Sequence, residues 1–311
     1  MTLAILTHDA AFAHVMPPGH PERAERMHAV RAVLDAEPFA ALPRLAVEPA
    51  PDAFLLRGHP RRHLERLAAA APAEGFAQLD PDTWMSPGTL DAARLAAGAV
   101  MQAVDAVLDG EARRAFVAMR PPGHHAEPET PMGFCLFGNV ALGALHAIHA
   151  HGLERVAVID FDVHHGNGTQ ALLRDEPRAV FVSSHQMPLW PGTGAPGETG
   201  PHGTIVNLPL RPGTDGAARR EAMAPVLERL HAWAPELVLL SAGFDADARD
   251  PLAELDWGPE DFAEATREAV ALAEAHAGGR VVSALEGGYD LAALGEGVAA
   301  HLGALMEGAD G

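Results

Sequence analysis

Two carboxylates and two imidazoles stand where an apolar run stops, in Val156-Ala-Val-Ile-Asp160-Phe-Asp162-Val-His164-His165-Gly-Asn167-Gly168. The apolar half reads as buried strand, and ionisable groups at the mouth of such a strand are costly to desolvate unless paired or bound to a metal. Asp162 and His164 lie two residues apart, so an extended segment puts both side chains on one side, and Asp160 shares that parity. Asp245, in Ser241-Ala-Gly-Phe-Asp245, follows a different strand and can supply a third ligand. Two aspartates and one histidine suit Zn(II), Fe(II), Co(II) or Mn(II), with a coordination position left open to water. Two carboxylates also neutralise the ion's charge, so the site needs a further electrophile to polarise a carbonyl. Taken alone, Asp245 reads as well as a helix cap; beside Asp162 and His164 the metal is the better reading.

His124-His125 follow Arg120-Pro-Pro-Gly, a rigid turn that fixes where the rings point. Adjacent imidazoles suit metal-assisted hydrolysis, one as general base and the other as a positive or hydrogen-bonding neighbour. A surface-loop pair is the plainer alternative. Tyr289 is the only tyrosine and sits two glycines beyond a strand end. A phenol there could share a developing oxyanion with the metal. Gly133-Phe134-Cys135 and Pro188-Leu-Trp190-Pro-Gly-Thr-Gly194 carry loop aromatics, the kind of wall that makes a narrow apolar tunnel for an alkyl chain. Cys135 has no base beside it in sequence and reads as a small buried hydrophobe. The absence of a Gly-x-Ser-x-Gly elbow argues against a serine hydrolase.

Positioning these groups requires strands alternating with helices. Strands are expected at Leu3–Thr7, Ala115–Met119, Val156–Phe161, Ala179–Ser183, Ile205–Leu208, Leu237–Ser241 and Val281–Leu285. Helices are expected at Pro21–Ala36, Arg61–Ala70, Pro87–Leu108, Asn139–His151, Asp215–Trp233, Pro259–Ala277 and Leu291–Met306. The pattern predicts an α/β fold with a mostly parallel sheet covered by helices on both faces, in one domain over residues 1–311. Five strands would release polar, Gly-rich signatures at their C-terminal ends, led by His124, Asp162, Ser184, Asp245 and Tyr289. In open parallel sheets that edge is where ligands bind.

Composition excludes several chemistries. All 22 basic residues among the 311 are Arg, which removes Schiff-base, pyridoxal phosphate and P-loop lysine chemistry. A net charge of −20 argues against nucleic acid and mildly favours cationic ligands, although a solvated acidic surface accounts for it equally. One cysteine supplies neither a disulfide framework nor a Cys-based zinc site. No signal peptide or membrane span is apparent, so a cytoplasmic protein is expected. Oligomeric state is left open, homo-oligomers included.

Taken together, Arg120-Pro-Pro-Gly-His-His-Ala126, Gly133-Phe-Cys, Asp160-Phe-Asp-Val-His-His-Gly-Asn-Gly-Thr169, Pro191-Gly-Thr-Gly194, Ser241-Ala-Gly-Phe-Asp-Ala246 and Glu286-Gly-Gly-Tyr289 resemble the zinc-dependent histone deacetylase family. That family includes acetoin-utilisation proteins and acetylpolyamine amidohydrolases. Asn167, where class I members carry Asp, and Arg-Pro-Pro-Gly-His-His resemble the class II branch. The resemblance implies an arginase/deacetylase-type fold with one zinc on Asp162, His164 and Asp245, Fe(II) or Co(II) being substitutes. It implies His125 as general base and then acid, His124 oriented by Asp160 as electrostatic support, and Tyr289 as donor to the carbonyl. It further implies a structural potassium held by the side chains of Asp160 and Ser183 and the backbone carbonyls of Asp162, His164 and Ser184. Gly133, Phe134 and Trp190 would line the acyl-lysine tunnel, with Leu252 at its rim.

The implied activity is hydrolysis of acylated primary amines, acetyl-lysine being the reference substrate and acetylpolyamines or small acylamines the competitors. Polyamine-selective members tend to place Glu at the rim, where this chain has Leu252, followed by Glu254 and Asp256. Two rival functions are considered. A binuclear manganese ureohydrolase would use Asp245-Ala-Asp247, but its Asp-x-His-x-Asp signature is missing. A non-enzymatic regulator would be expected to have lost part of the catalytic set, and no such loss is visible.

Overall fold

Runs of β-branched and aliphatic residues too short for a helix, each followed by a longer apolar periodicity, build the framework. The computed structural model describes residues 3–307; residues 1, 2 and 308–311 of the expected domain lie outside the described residues. Its strands are β1 (Leu3–Leu6), β2 (Arg44–Leu45), β3 (Ala77–Gln78), β4 (Trp84–Met85), β5 (Arg114–Val117), β6 (Val156–Asp160), β7 (Ala179–Gln186), β8 (Ile205–Leu210), β9 (Leu237–Ala242) and β10 (Val281–Leu285). The helices are α1 (Ala10–Ala13), α2 (Glu25–Leu34), α3 (Asp52–Leu55), α4 (Arg61–Ala70), α5 (Thr89–Leu108), α6 (Asn139–His149), α7 (Asn167–Leu173), α8 (Gly216–Trp233), α9 (Pro259–His276) and α10 (Leu291–Met306).

Eight strands form one sheet in the order β2-β1-β5-β10-β9-β6-β7-β8, all parallel, and β3 and β4 form a small antiparallel pair. Every residue of β1, β5, β6, β7, β9 and β10 is buried, as expected of strands with helices on both faces. The expected α/β architecture is therefore present. No helix among the described residues is long and apolar enough to cross a membrane.

Topology gathers the chemistry. The five strands expected to carry polar signatures, β5, β10, β9, β6 and β7, are consecutive neighbours in the sheet. Register is equally specific: Asp160 at the end of β6 lies opposite Ser183 of β7 and Ser241 of β9. Beneath this edge Phe161, Phe244, Phe262 and His301 pack ring against ring, at centroid separations of 5.2 to 6.4 Å. Burying rings of this size contributes about 1.5–3 kcal/mol each, and the cluster fixes the backbone on which Asp160, Asp162 and Asp245 stand.

Several expected boundaries move. β7 continues three residues beyond Ser183, because β8 pairs with it as far as Gln186–Leu210. Ser184 and His185 thus belong to the strand rather than to a loop after it. α2 starts at Glu25 instead of Pro21, since the preceding His20 and Glu22 are held by tertiary hydrogen bonds outside the helix. The short elements β2, β3, β4, α1, α3 and α7 hold too few residues to display a period.

Candidate active site

Four backbone N–H groups tie down the carboxylates released by β6 and β9. Asp162 N–H donates to Asp160 Oδ1 at 3.0 Å, and Val163 N–H to Asp245 Oδ1 at 2.9 Å. His164 N–H and Gly287 N–H donate to the two oxygens of Asp162 at 2.9 and 2.8 Å. Asp160, Asp162 and Asp245 are fully buried. A buried carboxylate costs several kcal/mol, and hydrogen bonds to a charged group return about 1.5–3 kcal/mol each, so the backbone offsets part of the cost. Close approach explains two glycines: a Cβ on Gly243 would strike Asp162 Oδ2, and one on Gly287 would strike Asp245 Oδ2.

His164 Nδ1 lies 3.2 Å from Asp162 Oδ1 and 3.1 Å from Asp245 Oδ2. Ligands about 2.0–2.2 Å from a common ion stand roughly this far apart, so the three groups fit a small divalent cation. Burial opposes a charge on His164, yet its hydrogen bonds to Asp162 and Asp245 prevail and lift its pKa to about 10. The same carboxylate field would attract a metal cation. These are the three ligands expected from sequence, and their donor atoms all lie within 4.8 Å of one another.

The histidine pair is split by its surroundings. His124 Nδ1 faces Asp160 Oδ2 at 3.0 Å, while His125 Nδ1 donates to Asn167 Oδ1 at 2.8 Å. Asn167 in turn donates to Glu127 Oε1 at 3.0 Å, which fixes its amide with the oxygen toward His125. Burial opposes charge on His124, but Asp162 and Asp160 outweigh it and raise its pKa well above the ordinary value. For His125, burial and then the charges of His124 and His164 all lower the pKa, well below the ordinary range. Two rings 3.9 Å apart between centroids are thus pushed in opposite directions, His124 toward the imidazolium and His125 toward the neutral imidazole.

His125 and His164 reach the floor of a cavity of about 200 Å³ lined also by Asp82, Gly133, Phe134, Leu189, Trp190, Leu252 and Tyr289. Gly133, Phe134, Trp190 and Leu252 were expected there and are brought together. Trp190 stands edge-on to His125 at 4.6 Å and remains 40% exposed, so it lines the mouth. Phe134 has φ +68°, a conformation disfavoured for a side chain with a Cβ, and it turns edge-on to Tyr289 at 5.9 Å. Burial raises the Tyr289 pKa well above the usual phenol value, which keeps its hydroxyl a donor. Burial likewise raises Cys135, leaving an unreactive thiol.

Sequence reasoning missed the part played by four residues, Glu286 of the quoted tyrosine motif among them. Asp82 comes from the β3–β4 turn, far from the strand ends of the main sheet, and accepts from Gly133 N–H at 3.2 Å. Burial and the neighbouring Asp80 raise its pKa to about 6. Glu286 accepts from Gly123 N–H and His124 N–H at 2.7 and 3.2 Å, locking the histidine turn to the end of β10. Arg26 donates to the carbonyls of Gly288 and Glu286 and lies 5.0 Å from the Tyr289 ring, so it shapes the tyrosine loop. Asp250 accepts Tyr289 N–H at 2.7 Å. None carries a local signal, because each acts across at least 39 residues of chain.

Asp247, the second aspartate of the ureohydrolase-like pair, is engaged by Arg249 at 2.8 and 2.9 Å. It is therefore committed elsewhere than to a second ion beside Asp245.

The histone deacetylase domain family matches residues 20–305. The chain is 42% identical over 284 residues to the histone deacetylase-like amidohydrolase of Pseudomonas aeruginosa, covering 88% of this chain and 74% of that protein. It is 42% identical over 227 residues to human polyamine deacetylase HDAC10, covering 69% of this chain and 33% of that protein. The crystal structure of the HDA15 HD domain matches with a TM-score of 0.92 at 31% identity, over 98% of this chain and 89% of that one. These similarities set aside the ureohydrolase and non-enzymatic readings. The chain belongs to the histone deacetylase family and is a hydrolase acting on amides.

Proposed function

We propose that the protein removes acyl groups from primary amines, with acetyl-lysine or a small acylamine as substrate and Asp162, His164 and Asp245 as ligands of one zinc. The observation that carries this reading is that His125, His164 and Tyr289 line one cavity, where burial holds the His125 pKa below and the Tyr289 pKa above its ordinary value. Zinc, or Fe(II) or Co(II) in its place, would supply Lewis acidity toward the amide carbonyl and toward water.

The chain's own residues then divide the work. His125 accepts a proton from the attacking water while Asn167 holds its Nδ1–H. As the carbonyl oxygen gains charge, Tyr289 donates its hydroxyl hydrogen to it. The carbon–nitrogen bond breaks, and His125 passes its proton to the departing amine. The hydroxyl left on the carbon gives up the water's second proton, so a carboxylate and a protonated amine leave. His124 stays charged against Asp160 and stabilises negative charge in the cavity. Phe134, Gly133 and Leu252 exclude water along the alkyl chain, with Trp190 at the mouth. A potassium ion belongs to the same proposal, held by Asp160 and Ser183 side chains and the carbonyls of Asp162, His164 and Ser184. The pairing of Asp160 with Ser183 across β6 and β7 supports it.

Leu252 in the cavity wall favours an acyl-lysine side chain over a polycation. Asp82 favours the second reading, an acylpolyamine, because it lines the same cavity and its carboxylate could meet an ammonium group. The HDAC10 similarity supports that alternative as well.

Replacing Asp245→Ala should remove one equivalent of tightly bound zinc, read by elemental analysis of the purified protein; retention of that equivalent contradicts the ligand assignment. Tyr289→Phe should keep the metal and lose roughly 10²–10³-fold in kcat on an acetyl-lysine peptide, the scale of one oxyanion donor. Full activity in that variant overturns the donor role. Asn167→Asp places a charge beside His125 and stabilises its imidazolium. Because the base must be neutral to act, the ascending limb of the pH–rate profile should shift to higher pH; a shift downward or none contradicts the assignment of His125.

A further inference from the structure

A second convergence of metal-ligating side chains lies at the opposite edge of the sheet. Asp105 is in the last turn of α5, His146 is in the last turn of α6, and His151 is five residues before β6 begins. All three therefore stand near the N-terminal ends of β5 and β6, whereas the acyl cavity lies at the C-terminal ends. His146 Nε2 and His151 Nε2 each lie 2.7 Å from the same oxygen, Asp105 Oδ1. The two rings are nearly perpendicular, at 84° with centroids 5.3 Å apart, and both bring Nε2 to that one carboxylate oxygen.

From this geometry we propose that Asp105, His146 and His151 form a peripheral site for a divalent transition-metal cation, distinct from the catalytic centre. Two imidazoles and one carboxylate are a donor set suited to Zn(II), Ni(II) or Cu(II). Metal–ligand bonds of about 2.0–2.2 Å separate neighbouring donors by roughly 2.8–3.1 Å in octahedral and roughly 3.3–3.6 Å in tetrahedral geometry. The observed 2.7 Å separations need to open by about 0.1–0.4 Å for an octahedral ion, and all three donor atoms lie within 4.8 Å of one another. Side-chain exposures of 10%, 23% and 38% for His146, His151 and Asp105 let an ion and its remaining waters reach the donors. Each imidazole would bind the ion through a bare Nε2 and carry its proton on Nδ1, and the ion would join α5 to α6 and to the segment between α6 and β6. Without it, the same residues form a His–Asp–His hydrogen-bond clamp.

The test compares metal content among the wild type, Asp105→Asn and His151→Ala, each carrying its catalytic metal. Asp105→Asn keeps an oxygen acceptor for the ring N–H groups but loses the anionic ligand. After equilibration with excess zinc and desalting, elemental analysis should find one more equivalent per chain in the wild type than in either variant. Added zinc should raise the melting temperature of the wild type and leave both variants unchanged. Turnover without added zinc should be equal in all three, which establishes that the variants are folded and separates this site from the catalytic one. Equal metal content in the wild type and either variant overturns the proposal and leaves the hydrogen-bond clamp.

Discussion

Buried negative charge at one edge of the sheet is the constraint on which the rest depends. Asp160, Asp162, Asp245 and Glu286 are all enclosed where β6, β9 and β10 end. Oxygens of Asp162 and Asp245 stand within 4.8 Å of each other, and two charges so placed repel by roughly 3.5 kcal/mol or more even at an effective dielectric constant of about 20. Backbone N–H groups and the imidazoles of His124 and His164 offset this repulsion, and the proposed metal would add to them. The strand order, with its five polar-ended strands adjacent, is what lets those terms meet.

That charge also explains how two neighbouring histidines differ. His124 faces Asp160 and is held toward its charged form; His125 donates Nδ1–H to an amide oxygen, meets the positive charge of its neighbour, and is held toward its neutral form. Environments that push adjacent titratable groups apart are how one fold assigns acid and base roles. Asn167 is central to the split. Its amide can orient His125 without adding a charge, and Glu127 behind it decides which way the amide points.

Much of this is legible in the sequence, for identifiable reasons. The sheet can be read because apolar runs of strand length alternate with helical periodicity, and β10, α4 and α10 have the expected bounds. Asp162, His164 and Asp245 can be read because charge placed directly after a buried strand must be compensated, and three such donors at one edge point to a cation. Ser184 and His185 read as loop residues because nothing local announces the pairing with β8 that lengthens β7. The parts played by Asp82, Glu286, Arg26 and Asp250 escape for a similar reason: their partners lie on distant segments, and a lone acid or arginine carries no period to detect.

The central claim is that this cavity hydrolyses an acylated primary amine with water as the nucleophile. The most direct measurement follows the fate of oxygen during turnover of an acetyl-lysine peptide by the zinc-loaded enzyme in ¹⁸O-labelled water, with acetylspermidine in parallel. The account predicts free amine and acetate carrying one labelled oxygen, with turnover abolished by chelation and restored by zinc. Absence of acetate release from both substrates by the zinc-loaded enzyme would contradict it, as would acetate released without the label.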